Sequence, residues 1–78
     1  MIKVLLFADL EEKAGKREIE LSVDSMTIDE VRTILLEMYP AMTRIQNAMP
    51  AVNEEYAEDK DIVKSGDTVA FIPPVSGG

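Results

Sequence analysis

Length, composition and charge restrict what this chain can do. Its 78 residues include no histidine, cysteine or tryptophan, and 15 acidic residues against 8 basic ones give a formal net charge of −7. Without His or Cys there is no thiolate nucleophile, no Ser-His or Cys-His pair, and no imidazole or thiolate metal site. We therefore expect one small domain with no metal site and no bound cofactor.

The same composition bears on partners and location. Nucleic acids require a basic protein face for their phosphates, so we expect no nucleic-acid partner for this acidic chain. No segment has the roughly 18 apolar residues of a membrane span, and the first apolar run is too soon interrupted by acids to be a signal peptide. We expect a cytoplasmic protein without membrane contact.

Two strands are predicted in the first third of the chain. Side chains alternate with a period of two over residues 2–7 and again over residues 17–23, as is typical of half-buried strands. Residues 9–16, which contain Gly15, are predicted to form a loop. Two adjacent strands joined by a loop are most simply antiparallel.

A helix with two marked ends follows. Thr27 and Glu30 have the spacing of a capping box, in which each side chain satisfies a free backbone donor of the first turn. Pro40 ends the helix because the residue before a proline is pushed out of helical geometry. Residues 41–48 are ambiguous and fit a further helical turn. The apolar stripe expected to cover the sheet consists of Ile28, Val31, Ile34, Leu35 and Met38.

The second half of the chain contains two further predicted strands. Residues 49–52 form a short strand, in which Pro50 indicates an edge position because proline has no backbone donor. Residues 68–72 form the last strand, entered through a Gly-Asp turn pair. The order strand, strand, helix, strands predicts an α+β fold of the β-grasp (ubiquitin-like) type. In that fold one main helix crosses one face of a mixed sheet, and the first and last strands lie side by side.

One apolar face of this sheet has no predicted cover. If one side of each strand packs against the helix, Leu5, Phe7 and Ile72 must lie on the opposite side. Contiguous apolar surface on a small chain is typical of a partner-binding site. We therefore expect a docking surface, framed by Glu18, Glu20 and the acidic stretch of residues 54–67.

A second interpretation remains open for this face. The loop that follows Asn53, with Tyr56 in it, could fold back over the apolar residues and cover them. In that case the face would be part of the core and would leave no docking surface.

The last residues have a composition of their own. Pro73 and Pro74 favour a stiff, extended segment, and residues 73–78 are predicted to be a tail that projects from a domain of residues 1–72. Gly77 and Gly78 have no side chains, so they can enter a slot too narrow for a Cβ atom. The α-carboxylate of Gly78 could accept a leaving group by adenylation. The alternative is a frayed end without function.

Three segments resemble the small subunits of molybdopterin synthase, a family of ubiquitin-like sulfur carriers. They are residues 1–8 (MIKVLLFA), 51–53 (AVN) and 66–78 (GDTVAFIPPVSGG). The resemblance implies the β-grasp fold and a reaction cycle. A ubiquitin-activator-like adenylating enzyme uses ATP to adenylate the C-terminal glycine, and a sulfur donor converts it to a thiocarboxylate. The large synthase subunit then transfers the sulfur to a cyclic pterin phosphate precursor in molybdenum cofactor biosynthesis.

The same resemblance assigns roles to residues. It implies that Gly78 is the reactive terminus and that Phe7, Tyr56 and Ile72 are hydrophobic contacts with the partners. Leu5 is added to these partner-binding residues because the period of two places it on the same face. Ile72 stands where the family often has an aromatic residue. The chain is then non-catalytic alone and serves as the sulfur-donating subunit of a sulfurtransferase complex. The segment that threads into the partner comprises Pro73, Pro74, Val75, Ser76 and Gly77.

Three other functions stay open at this point. A sulfur carrier of another pathway, such as thiamin thiazole synthesis, would use the same chemistry at Gly78. A ubiquitin-like modifier would join Gly78 to lysines, although Ser76 stands where ubiquitin has an arginine. A plain binding module would use the apolar face and leave the tail idle.

Overall fold

The computed structural model describes residues 1–74. In chain order its elements are β1 (Ile2–Leu6), α1 (Ala8–Ala14), β2 (Glu18–Leu21), β3 (Ser25–Thr27), α2 (Ile28–Met38), β4 (Met49–Val52), β5 (Glu55–Tyr56), β6 (Ile62–Lys64) and β7 (Thr68–Ile72). A 3₁₀ helix, Thr43–Asn47, joins α2 to β4. Neither α-helix in this part of the chain is long and apolar enough to cross a membrane.

Five strands form one mixed sheet in the order β2-β1-β7-β4-β5. The central pair, β1 and β7, is parallel, with Val4 opposite Val69. The other neighbours in this sheet are antiparallel, and β3 pairs with β6 in a separate two-stranded sheet. The first and last strands therefore lie side by side in a mixed sheet. The predicted β-grasp fold is confirmed.

The helix α2 begins as the sequence predicts. Thr27 Oγ1 accepts a hydrogen bond from the Glu30 backbone N–H at 3.1 Å, and Glu30 Oε1 accepts one from the Thr27 backbone N–H at 2.9 Å. This capping box satisfies two donors of the first turn. The start of the main helix is thereby fixed by local sequence.

The predicted apolar stripe of α2 is correct except at its end. Ile28, Val31 and Leu35 are fully buried, whereas Met38 is exposed. The helix ends at Met38, and the space beyond its last turn is filled from the 3₁₀ segment. The core that results contains Ile2, Val4, Leu6, Leu10, Ile19, Leu21, Ile28, Val31, Leu35, Met42, Ile45, Ala48, Val63, Val69 and Phe71.

The predicted loop over residues 9–16 was wrong, because most of it forms helix α1. Leu10 is fully buried and anchors this helix on the core. Gly15 ends it with a left-handed φ of 79°, and its N–H donates to the Glu11 carbonyl at 2.9 Å. Glycine is the residue that adopts this C-terminal geometry without strain. Gly15 therefore marks a helix end, and the antiparallel pair β1–β2 is joined by a helix.

The edge position predicted for Pro50 was also wrong. β4 lies between β7 and β5, and Pro50 pairs with Phe71 of β7. The Pro50 carbonyl accepts a hydrogen bond from the Ala57 N–H at 3.0 Å. Since the N and C=O of one residue point to the same side of a strand, the missing donor of Pro50 points away from β7. An interior strand tolerates this proline because its missing donor faces Ala57, just beyond the last residue of β5, so that only one hydrogen bond at the end of the ladder is lost.

Three short strands were not predicted. β3, β5 and β6 have two or three residues each, too few to show a period of two. As a result the acidic stretch of residues 54–67 is divided between β5, β6 and the turns around them.

Candidate functional site

The sheet face opposite α2 is open, as predicted. Phe7 and Ile72 are each 39% exposed, and Leu5 is half-buried. All three line one shallow depression of about 690 Å³. The structure therefore brings together the apolar residues that the period of two placed on this side. The outer face is our name for the residues that line this depression, namely Leu5, Phe7, Ala51, Asn53, Glu54, Tyr56, Thr68, Ala70 and Ile72, with the neighbouring Met49.

Cross-strand pairing arranges the middle of the outer face as one row. Leu5 of β1 lies opposite Glu18 of β2 on one side and Ala70 of β7 on the other. Ala70 lies opposite Ala51 of β4, which lies opposite Tyr56 of β5. Adjacent strands are about 4.8 Å apart. Two alanines thus form the floor of the depression, with larger side chains on both sides.

Tyr56 does not cover the apolar residues. Its side chain is 74% exposed, and it belongs to the edge strand β5, where it pairs with Ala51. The interpretation in which the loop after Asn53 folds back over the face was therefore wrong. Tyr56 forms one wall of the depression and leaves the floor open.

Met49 is an exposed apolar residue of this face that the sequence analysis missed. It lies opposite Ile72 across β4 and β7 and is 49% exposed. The period of two over residues 49–52 places Met49 and Ala51 on the same side. The signal was present in the sequence, but only the register of β4 against β7 shows which side that is.

Carboxylates lie at both ends of the row. On β2, Glu18 lies 3.9 Å from the Lys3 ammonium, and Glu20 is exposed beside it. At the other end Glu54 lines the depression next to Tyr56. The predicted acidic frame therefore exists on two sides of the apolar surface. It favours a partner with basic groups around an apolar contact.

The β4–β5 turn is fixed by a network around Asn53. The Asn53 Oδ1 accepts from the Thr68 backbone N–H at 3.0 Å, and Nδ2 donates to Asp67 Oδ1 at 3.1 Å. The Lys64 backbone N–H donates to Asp67 Oδ2 at 2.8 Å. This backbone hydrogen bond, together with the one from Asn53, holds the pKa of Asp67 below its ordinary value of 3.8. The network joins the rim of the depression to the start of β7.

β7 connects the outer face to the tail. Ile72 is the last residue of this strand, Pro73 is half-buried and Pro74 is exposed. Neither proline can continue the ladder. The other predicted tail residues, Val75, Ser76, Gly77 and Gly78, lie outside the described residues, and their roles stay predictions.

A second depression, of about 390 Å³, lies on the α2 side. The Arg32 guanidinium beside it donates to the Ile45 carbonyl, pairs with Asp59 at 3.0 Å and lies 5.3 Å from the centre of the Phe71 ring. These contacts give Arg32 a structural role, because they join α2, the 3₁₀ helix and the acidic stretch. Within residues 1–74 no three carboxylates are grouped so as to hold a metal ion.

Comparison with known proteins identifies the family. Residues 4–78 match the ThiS family. The chain belongs to the ThiS family. A molybdopterin synthase sulfur carrier subunit from Caenorhabditis briggsae is 40% identical over 81 residues, which cover 99% of this chain and 96% of the relative. The resemblance found in the sequence is confirmed.

Solved structures share the fold of this ThiS-family chain. SAMP1 from Haloferax volcanii is 32% identical with a TM-score of 0.85, covering 99% of this chain and 98% of its own. Subunits of molybdopterin-converting factor from Helicobacter pylori, in a complex of subunits 1 and 2, include a chain that is 20% identical with a TM-score of 0.70. That match covers 99% of this chain and 97% of the other. At this lower identity the likeness establishes the fold alone.

Proposed function

We propose that this chain is the sulfur carrier subunit of molybdopterin synthase and that its reactive group is the Gly78 carboxylate. One observation carries the proposal: β7 contributes Ala70 and Ile72 to the open face and leads directly into Pro73 and Pro74. A partner that docks on this face receives the tail at a fixed point. The name and 40% identity of the Caenorhabditis relative support the same function.

The chemistry requires two partner enzymes. A Gly78 carboxylate oxygen attacks the α-phosphorus of ATP and displaces pyrophosphate, which leaves an acyl-adenylate. A sulfur donor then displaces AMP and leaves a thiocarboxylate. Its sulfur is transferred to a cyclic pterin phosphate precursor, and water cleaves the acyl–sulfur bond and supplies the oxygen of the regenerated carboxylate. ATP is used by the activating enzyme, and the carrier itself holds no cofactor.

Both partners use the outer face in this proposal. The large synthase subunit docks on it for sulfur transfer, and the adenylating enzyme docks on it for activation. The Caenorhabditis briggsae relative is named as a subunit of molybdopterin synthase, which supports the first pairing. In this proposal the carrier supplies the docking surface and the tail, and the catalytic side chains belong to its partners.

Reconstitution tests this function. The purified chain is incubated with ATP, an adenylating enzyme of the ubiquitin-activator type and a sulfur donor, then with the large subunit and the cyclic pterin precursor. We expect two sulfur atoms to be transferred to the precursor, which gives a pterin that carries a dithiolene. This product is measured by mass spectrometry. A chain that lacks Gly78 is the control and should still bind the large subunit but form no product. Equal product from both chains would contradict the proposal.

A second candidate function is protein modification. SAMP1, whose full name is small archaeal modifier protein 1, shares this fold at 32% identity. A modifier would carry Gly78 in an isopeptide bond with a lysine of another protein. Mass spectrometry of conjugates from the native host separates the two functions, because a carrier yields free thiocarboxylate and a modifier yields branched peptides at lysine.

A further inference from the structure

The turn between β4 and β5 contains a residue in an unfavourable backbone conformation. Asn53 and Glu54 form a two-residue connection, and their φ angles are 50° and 73°. Positive φ at both central positions is the geometry of a type I′ hairpin turn, for which Asn-Gly is the preferred pair. Asn53 suits the first position, whereas a glutamate at the second is strained because its Cβ crowds the backbone. Glycine at 54 would avoid this strain.

The Glu54 side chain makes no hydrogen bond or ion pair within residues 1–74 that would compensate for the strain, and the turn is held instead by the neighbouring Asn53. Glu54 is exposed, and none of the four ion pairs in this part of the chain includes it. Glu18, at the opposite end of the same row, lies within reach of Lys3. Glu54 instead lines the apolar depression together with Tyr56. Strained residues persist only where the surrounding structure holds them in place, and they are concentrated at functional sites.

We propose that Glu54 is a specificity-determining residue of the outer face, and that it pairs with an arginine or lysine of the large synthase subunit. This inference rests on the proposed function. The partner's side chain lies with its aliphatic stem against the Tyr56 ring and its cationic group on the Glu54 carboxylate. Aromatic and acidic neighbours together suit such a side chain, since a cation is attracted both to a ring face and to a carboxylate.

The turn fixes the backbone from which the Glu54 side chain projects at the rim of the depression. The Thr68 backbone N–H donates to Asn53 Oδ1 and Asn53 Nδ2 donates to Asp67 Oδ1, so the backbone of the turn is fixed against the start of β7. A side chain that projects from a fixed backbone loses less conformational freedom on binding than one on a mobile loop, because only its own rotamers must be ordered. Net charge of the chain, −7, adds long-range attraction to a basic surface.

Two variants of Glu54 and one control variant separate the effects of the Glu54 charge, the backbone strain at Glu54 and the net charge of the chain. Glu54→Gln keeps the strained backbone and removes the charge, whereas Glu54→Gly removes both. Glu37→Gln removes one charge from α2, on the opposite side of the sheet. The dissociation constant for the purified large subunit is measured by calorimetry at low and high salt, and the thermal midpoint of each free carrier by scanning calorimetry.

We expect Glu54→Gln and Glu54→Gly to raise the dissociation constant about three- to tenfold at low salt, with a weaker salt dependence than the wild type. Glu54→Gly should raise the thermal midpoint of the free carrier by about 2–5 °C, while Glu54→Gln leaves it unchanged. Glu37→Gln should bind like the wild type.

The outcomes are distinguishable. If the wild-type carrier does not bind the large subunit, the proposed function fails. If it binds and Glu54→Gln binds equally tightly with the same salt dependence, the ion pair is overturned while the function stands. If Glu37→Gln weakens binding as much as Glu54→Gln, the effect is one of net charge and the inference is overturned. An unchanged or lower thermal midpoint for Glu54→Gly would show that the backbone at residue 54 is not strained, and the inference would be overturned.

Discussion

Ala70 of β7 lies directly opposite Ala51 of β4 on the face of the sheet that α2 leaves open. These two methyl side chains form the floor of the depression between Leu5 and Tyr56. A larger residue at either position would fill the space that a partner's side chain needs. The shape of the docking surface therefore depends on two small residues as much as on the large ones around them.

Ala70→Leu tests this dependence. The added side chain projects into the open depression, so we expect the carrier to stay folded with a free energy of unfolding within about 0.5 kcal/mol of the wild type. Its affinity for the large subunit should fall at least about tenfold, or about 1.4 kcal/mol. Ala41→Leu adds the same group at an exposed site after α2 and should leave affinity unchanged. Equal affinities for both variants would exclude the depression as the contact.

Met49 and Met38 form a matched pair for the apolar contact. They are 49% and 48% exposed, but Met49 lies on the outer face opposite Ile72, whereas Met38 ends α2. Met49→Ser should weaken binding of the large subunit about five- to tenfold because apolar area is lost from the interface. Met38→Ser should change it less than about twofold. Binding by titration calorimetry decides between them, and a larger effect at Met38 would place the interface on the helix side.

The hydrogen bonds to Asp67 predict a dependence of stability on pH. Its pKa in the folded protein lies below the ordinary value of 3.8, first because of the Lys64 N–H and then because of the Asn53 side chain. A lowered pKa means that the ionised form stabilises the fold fully above pH 3.8. That contribution is lost as the pH falls through the lower, folded-state value.

Asp67→Asn removes this titration. Chemical unfolding of wild type and variant across the acid range should show the variant less stable at neutral pH. The difference should shrink as the pH falls below 3.8. A difference that is the same at neutral and acid pH would show that ionisation of Asp67 does not stabilise the turn.

Leu10 anchors the short helix α1, and through it the residue that precedes that helix. It is fully buried, and its N–H donates to the Phe7 carbonyl at 3.1 Å. Leu10→Ala should lower the free energy of unfolding by about 2–4 kcal/mol, because it removes buried methyl groups and leaves a cavity. Lys13→Ala, on the exposed side of α1, should lower it by less than about 0.5 kcal/mol. Urea denaturation measures both, and equal effects would mean that α1 does not pack on the core.

Local patterns predicted the parts of the fold that local chemistry determines. The period of two in β1 and β7 and the capping box at Thr27 are complete within a few residues, so each could be identified from the sequence. The open face was predicted because the strands have apolar residues on both sides, whereas the one predicted main helix can cover only one side of the sheet. The structure therefore confirms the side of the sheet that was predicted for Leu5, Phe7 and Ile72.

The errors arose where distant residues decide the structure. Gly15 suits both a loop and a helix end, and only the burial of Leu10 on the core makes α1 a helix. Pro50 suits an edge strand, but the brevity of β5 allows it inside the sheet. Met49 joins the outer face through its register with Ile72, which no local pattern contains. Residues 75–78, with the proposed reactive carboxylate, were assigned from the sequence alone.

Mass spectrometry of the C-terminal peptide tests the central proposal most directly. The carrier is incubated with ATP, an adenylating enzyme of the ubiquitin-activator type and a sulfur donor, and the peptide ending at Gly78 is sequenced. Fragment ions must locate any added mass, because oxidation of the five methionines gives almost the same shift as replacement of oxygen by sulfur. We predict ATP-dependent sulfur on Gly78 itself. A Gly78 carboxylate that stays unmodified, while the same enzymes load a known sulfur carrier, would contradict the account.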